Sequence, residues 1–205
     1  MTSVRTPVSR LAEFVNGRAF KPDDFTETGL PVVRIRELLD PTADLDRFDG
    51  QVAARNLIHD GDLIFAWSAT LAVRFWEGGP AILNQHLFNV HPHEGLAKIY
   101  LRWALDHTVS ALSAFMHGSA MTHITKGMLK DVFIDLPPLE EQRQIAEYLD
   151  RETGKIDELI AKQERLVATL AERRQSLISR VIARGLRTRE EIMRVGYGVS
   201  GGVIV

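Results

Sequence analysis

LPPLEEQRQIAEYLDRETGKIDELIAKQERLVATLAERRQSLISRVIAR, residues 136–184, decides how the rest of the chain is read. Pro137 and Pro138 stop whatever precedes them, and about 45 residues of highly charged, apolar-periodic sequence follow. Proline is excluded from a helix interior but welcome in its first turn. Glu140 and Glu141 fall where the positive end of a helix favours acids. Ile145, Leu149 and Ile156 share one face. Thr153-Gly154 interrupts the helix propensity, so the spacing predicts a short helix over 139–152, a hinge at 153–154 and a long helix over 155–183.

In the long helix a heptad frame puts Ile156, Gln163, Leu170 and Leu177 at a, and Leu159, Leu166, Arg173 and Arg180 at d. Ile160, Val167 and Val181 widen the stripe. Gln163 and Arg173 weaken the seam but suit a role in fixing register. Twenty-nine helical residues span about 44 Å, too long for the stripe to be covered by its own hinge and tail. A partner helix is expected, with Ile156, Leu159, Ile160, Leu166, Val167, Leu170 and Leu177 as the pairing and docking residues. Residues 140–158 carry seven acids and three bases, whereas 162–184 carry two acids and six bases. That polarity suits either a helix dipole or two such helices lying antiparallel.

Upstream, residues 1–138 read as a separate module, rich in Gly and in Val, Ile and Phe, and broken by turns. LPVVRIREL (30–38) reads as a strand with Arg34 and Arg36 on one face, and AILNQHLFNV (81–90) as another. HDGD (59–62) reads as a tight turn into LIFAWSA, and VFIDL (132–136) as a last strand. Residues 91–116 turn helical, with Leu101, Leu105 and Val109 four apart and Ile99 and Leu112 near the same stripe. The predicted fold class is α+β: a curved mixed or antiparallel sheet followed by a long coiled-coil-forming helix. Residues 185–205 are expected to be a short disordered tail.

Bulk properties bound the function. The chain has 205 residues, no Cys and a net charge of −2. Disulfides and thiolate metal sites are excluded. Without an 18-residue apolar run or a secretory h-region, a soluble cytoplasmic protein with no membrane association is expected. Seven His residues show no metal-ligand spacing, and HPH (91–93) resembles a ligand pair only superficially. There is no G-x-S-x-G, no Walker loop, no dinucleotide fingerprint and no proline-proline-aromatic methyltransferase tetrad. No enzymatic activity, metal or cofactor is expected.

FIDLPPLEEQRQIAEYLDRETGKIDELIAKQERLVATLAERRQSLISRVIARGL (133–186) resembles the helical region of type I restriction-modification specificity subunits. The upstream segments LPVVRIREL, GDLIFAWSATLAVRFW, ILNQHLFNV and GSAMTHITKGMLKDVFIDLPP resemble that family's target recognition domain. The resemblance implies a non-catalytic DNA-reading subunit. Residues 1–138 would read one half of a bipartite double-stranded target, and a helical arm over 139–184 would dock methyltransferase subunits. A restriction/translocase subunit would complete the complex. A full-length member has two recognition domains and two helical regions; this chain has one of each. It reads as a natural half-subunit or as a truncated, degenerate one serving only as a scaffold. Either a homodimer or pairing with another specificity polypeptide would restore the missing half.

For DNA contact, Arg18 and Lys21 flank the Gly17 turn, and Arg34 and Arg36 are candidates for guanine. Arg55 and Arg74 lie near central turns, and Thr122, His123 and Lys126 follow Gly118. Asn84-Gln85 matches a recurrent family pair, with an architectural role or an adenine contact as its two readings. Residues 1–139 carry 13 bases against 16 acids, so phosphate contact depends on local clusters.

Overall fold

The computed structural model describes residues 3–40, 42–116 and 127–184, and the chain divides into two compact units, Met1–Leu149 and Asp150–Val205. The first unit is built on short strands. β1 (Val4–Pro7) pairs antiparallel with β10 (Phe133–Leu136), Val4 opposite Leu136, which fastens the start of the module to its end. A second sheet has the order β2-β9-β6-β7, all antiparallel: β2 is Ala12–Asn16, β6 Leu63–Ala66, β7 Ala72–Phe75 and β9 Leu87–Pro92. A third has the order β4-β3-β8-β5: β3 is Leu30–Val33, β4 Arg47–Phe48, β5 Leu57–Ile58 and β8 Ala81–Leu83. There β3 and β8 run parallel and the other pairs antiparallel, so the fold is mixed.

β6 sits between two cores. Its side chains alternate across the sheet, as the two-residue period of a strand requires. Leu63 and Phe65 enter a core with Phe14, Phe88, Val90 and Val73. Ile64 and Ala66 enter the other, with Val33, Ile58, Ala81, Leu83 and Leu87. α2 (Lys98–Met116) covers the first core with Leu101, Leu105 and Val109, three residues its periodicity predicts. Ile99, expected near that stripe, is 45% exposed. The helix begins at Lys98 rather than His91 because β9 continues to Pro92, where Ala12↔Pro92 still pairs.

Two predicted strands are each interrupted by a side chain that competes for the backbone. Residues 30–38 give β3 and then α1 (Ile35–Leu39), because Glu37 accepts the Arg34 N–H (3.1 Å) and caps the helix. Arg34 and Arg36 therefore do not share a strand face. Residues 81–90 give β8, a turn and β9, because the Asn84 side chain accepts the His86 N–H (3.2 Å) and its carbonyl accepts the Leu87 N–H (3.0 Å). Asn84-Gln85 is thus a turn rather than strand.

α3 (Leu139–Arg184) is one unbroken helix, so the expected pair of helices, 139–152 and 155–183, is a single element. A glycine within a helix costs only about 1 kcal/mol relative to alanine. The Lys155–Glu152 ion pair (3.0 Å) spans Gly154, and Lys162 on Glu158 (2.7 Å) follows on the next turns. In the first unit α3 buries Ala146 in the first core, with Ile145 packed beside it. Gln142, 1% exposed, ties its first turn to the loop before α2. In the second unit Ile156, Leu159, Ile160, Leu166, Val167 and Leu170 are each between 50% and 66% exposed. Leu177 is half-buried. Among the described residues no helix is long and apolar enough to cross a membrane.

Candidate nucleic-acid interface

The candidate site grows from a close approach of two backbones. After β2 the chain lies along the Asn84 turn: the Gly17 N–H donates to Leu87 O (3.1 Å) and the Arg18 N–H to Leu83 O (2.7 Å). A Cβ at position 17 would stand 2.2 Å from the Asn84 carbonyl oxygen, so only glycine permits this contact. Arg18 is thereby held beside Asn84, and its guanidinium lies over the rings of Phe48 (4.1 Å) and Phe20 (5.0 Å). Phe20 in turn stacks on Phe25, with centroids 5.8 Å apart and planes within 17°. Arg34 covers the Phe25 ring at 5.2 Å. Three aromatic rings and two guanidinium groups thus form one half-buried layer.

Beside this layer stands an ion-pair network around Glu37, a carboxylate with a side chain only 1% exposed. Arg34 pairs with Glu37 (3.3 Å) and with Asp46. Arg36 grips Glu37 through Nε (3.0 Å) and Nη2 (2.8 Å), while its side chain as a whole stays 65% exposed. Burial pulls the Arg34 guanidinium down, but the hydrogen bond to Asp46 and the charge of Glu37 outweigh it and hold it above its ordinary value. These bonds fix the two cations in place and neutralise much of their charge.

Between the aromatic loop and the Asn84 turn lies an open depression of about 540 Å³. Arg34, Arg36, Asn84 and Gln85 all line it. Asn84, 5% exposed and engaged in the turn, serves the architecture. Lys21 is exposed in the loop between Arg18 and Phe25, where its N–H is accepted by Asp24 (2.8 Å). Arg55 is exposed on a short turn that Asn56 fastens to Asn16 O (3.0 Å), near Arg18. Arg74 belongs elsewhere, on β7 against Asp106 of α2 (3.5 Å). Thr122, His123 and Lys126 lie outside the described residues.

Sequence reasoning missed Phe20, Phe25 and Phe48, the counter-charges Glu37 and Asp46, and His86. The one available signal was Phe20 and Phe25 bracketing the KPDD turn, an apolar pair in a stretch otherwise suited to water. Among the described residues no group of three or more His, Asp or Glu side chains could hold a metal ion.

Comparison with known proteins gives one answer. The type I restriction modification DNA specificity domain family matches residues 7–167. The chain is 29% identical over 191 residues to the type I restriction enzyme EcoBI specificity subunit of Escherichia coli, covering 92% of this chain and 40% of that protein. It is 24% identical over 131 residues to the type I restriction enzyme MjaVIII specificity subunit of Methanocaldococcus jannaschii, covering 63% of this chain and 30% of the relative. Among solved structures, a chain from a study of complex assembly in the type I R-M system shares the fold, with a TM-score of 0.68 and 22% identity over 83% of this chain and 43% of its own. The HsdS subunit from Thermoanaerobacter tengcongensis does so with a TM-score of 0.60 and 22% identity over 77% of this chain and 39% of its own. The chain spans under half the length of these relatives. With more than three quarters of its residues inside the family match, the chain belongs to the type I restriction modification DNA specificity domain family.

Proposed function

We propose that this chain is a non-catalytic specificity subunit of a type I restriction-modification complex. Residues 1–138 read one half of a bipartite duplex target, and α3 is both spacer and docking surface. The family match over both the strand-built module and most of the helix carries this reading. The exposed stripe from Ile156 to Leu170 supports pairing. Its occupant in this proposal is α3 of a second copy, antiparallel as a coiled coil, so that the acid-rich 140–158 meets the base-rich 162–184. Methyltransferase subunits dock on the paired helices, and a restriction/translocase subunit joins them. Arg18, Lys21 and Arg55 supply phosphate contacts, since these residues are exposed or half-exposed near one turn.

A two-fold pair of identical readers requires two identical half-sites in opposed orientation. Expression with the methyltransferase of the same genome, followed by single-molecule sequencing of methylated DNA, is expected to give an interrupted palindrome. Deleting one heptad between residues 163 and 177 removes about 10 Å of helix. The gap should then shorten by about three base pairs, at 3.4 Å each, with both half-sites unchanged. Two unrelated halves would replace the second copy by a different specificity polypeptide. Complex formation without sequence preference would reduce the chain to a scaffold.

A further inference from the structure

We propose that the depression between the Phe20–Phe25 loop and the Asn84 turn is the base-reading part of this module, and that it selects a thymine by its C5-methyl group. The inference rests on the DNA-reading function proposed above and specifies its chemistry.

One wall of the depression is apolar, made by Phe20, Pro22, Phe25 and Ile35. The two rings are only half-buried, yet they are held rigidly, by stacking on each other and by the Arg18 and Arg34 guanidinium groups. A small fixed apolar wall, open to water and rimmed by polar groups, suits a ligand that brings a small apolar group beside polar ones. The opposite side is polar. Arg36 is held through Nε and Nη2 by Glu37 and the Asp44 carbonyl while its side chain stays largely exposed, so it presents its remaining donors without the entropy cost of a free arginine. Gln85 is half satisfied: its Oε1 is covered yet has no hydrogen-bond partner among the described residues, while its Nε2 hydrogen-bonds His86 Nε2 at 3.2 Å. Turned outward onto a base edge, the amide would exchange the His86 bond for one to the base and give its Oε1 the donor it lacks.

An apolar wall opposite donors and an amide matches one base pair. In the major groove only thymine places a methyl group beside an acceptor, its O4, and its partner adenine offers the N6 donor and N7 acceptor that an amide binds bidentately. The wall takes the methyl, Arg36 donates to O4 and Gln85 reads the adenine. Glu37 is the positioning residue.

The test uses the full chain in complex with its methyltransferase and a randomised duplex pool, from which the preferred half-site is selected. Each thymine of that half-site is then replaced by deoxyuridine, which removes only the methyl. One replacement is expected to weaken binding roughly fourfold to tenfold. In Phe25→Ala the same replacement should cost less than about twofold, and likewise in Pro22→Ala, a milder change that leaves the ring stack intact. Thermal melting establishes that both variants are folded. The inference is overturned if no thymine responds to deoxyuridine, or if the response is undiminished in both variants. A complex with no preference for any half-site overturns the DNA-reading function as well, so the two failures are distinguishable.

Discussion

Replacing Leu166 and Leu170 together with aspartate is expected to leave the chain monomeric and to abolish modification at every bipartite site. Both side chains are about half exposed, as are Ile156, Leu159, Ile160 and Val167 around them. Burying such side chains fully yields about 1.5–3 kcal/mol each. Covering the remaining half of each yields about half of that, and six on each of two helices then match or exceed most of the roughly 4–15 kcal/mol that association costs in lost freedom. Two aspartates per chain put four carboxylates into a dry seam, where each unpaired charge costs several kcal/mol. The helix itself should persist, since aspartate costs at most about 0.7 kcal/mol per site in propensity. Light scattering at tens of micromolar should show a dimer for the wild type and a monomer for the variant, with equal helical circular dichroism. A wild-type monomer would remove the second copy from the proposal and leave a heteromeric partner.

The second large effect is expected at Gln142. Its Oε1 accepts the Ala97 N–H (2.8 Å), and its Nε2 donates to Pro137 O (2.9 Å) and Gly95 O (3.3 Å). One side chain thus satisfies three backbone groups from two separate loops. Gln142→Leu keeps the volume but strips all three of their partner; an orphaned buried group costs about 1–3 kcal/mol, in full at the buried Pro137 O and in part at Ala97 and Gly95, whose bonds are half-buried. A loss of about 3–5 kcal/mol follows, or roughly 10 °C in melting temperature for a chain of this size. Gln142→Glu keeps the acceptor for Ala97 but removes both donors and buries a charge, and should melt no higher. Melting of Gln142→Leu within about 1 kcal/mol of the wild type would show that apolar packing alone, through Ala146 and Ile145, holds the start of α3.

Much of this was legible in the chain because hydrophobic period and proline position act locally. Leu101, Leu105 and Val109 at four-residue spacing fixed the buried face of α2, and Pro137-Pro138 fixed where α3 begins. The failures share a cause. At Glu37 and at Asn84 a polar side chain bonds the backbone two or three residues away, and that bond overrides the strand propensity of Val, Ile and Leu nearby. Arg34 and Arg36 consequently moved from a strand face to a helix start, against an acid that strand periodicity would have placed on another face. Thr153-Gly154 failed in the other direction. Local propensity suggested a break, but a deficit of about 1 kcal/mol is small beside the hydrogen bonds of a long helix. The aromatic layer was not legible, since Phe20, Phe25 and Phe48 meet only when β4 pairs with β3.

The division of β6 between two cores bears on how such a chain changes over generations. The core entered by Leu63 and Phe65 also receives Ala146 and Ile134, and so carries the join to α3. The core entered by Ile64 and Ala66 supports Val33 and Leu83, which lead directly into Arg34 and Asn84 at the depression. Substitutions that reshape the second set disturb packing on one side of a sheet, while the other side keeps its own contacts. Distant, independently packed sites are close to additive in their effects on stability. Under the function proposed above, a lineage can therefore alter which bases it prefers while its assembly geometry stays constant, so that a new specificity is inherited by machinery that needs no adjustment.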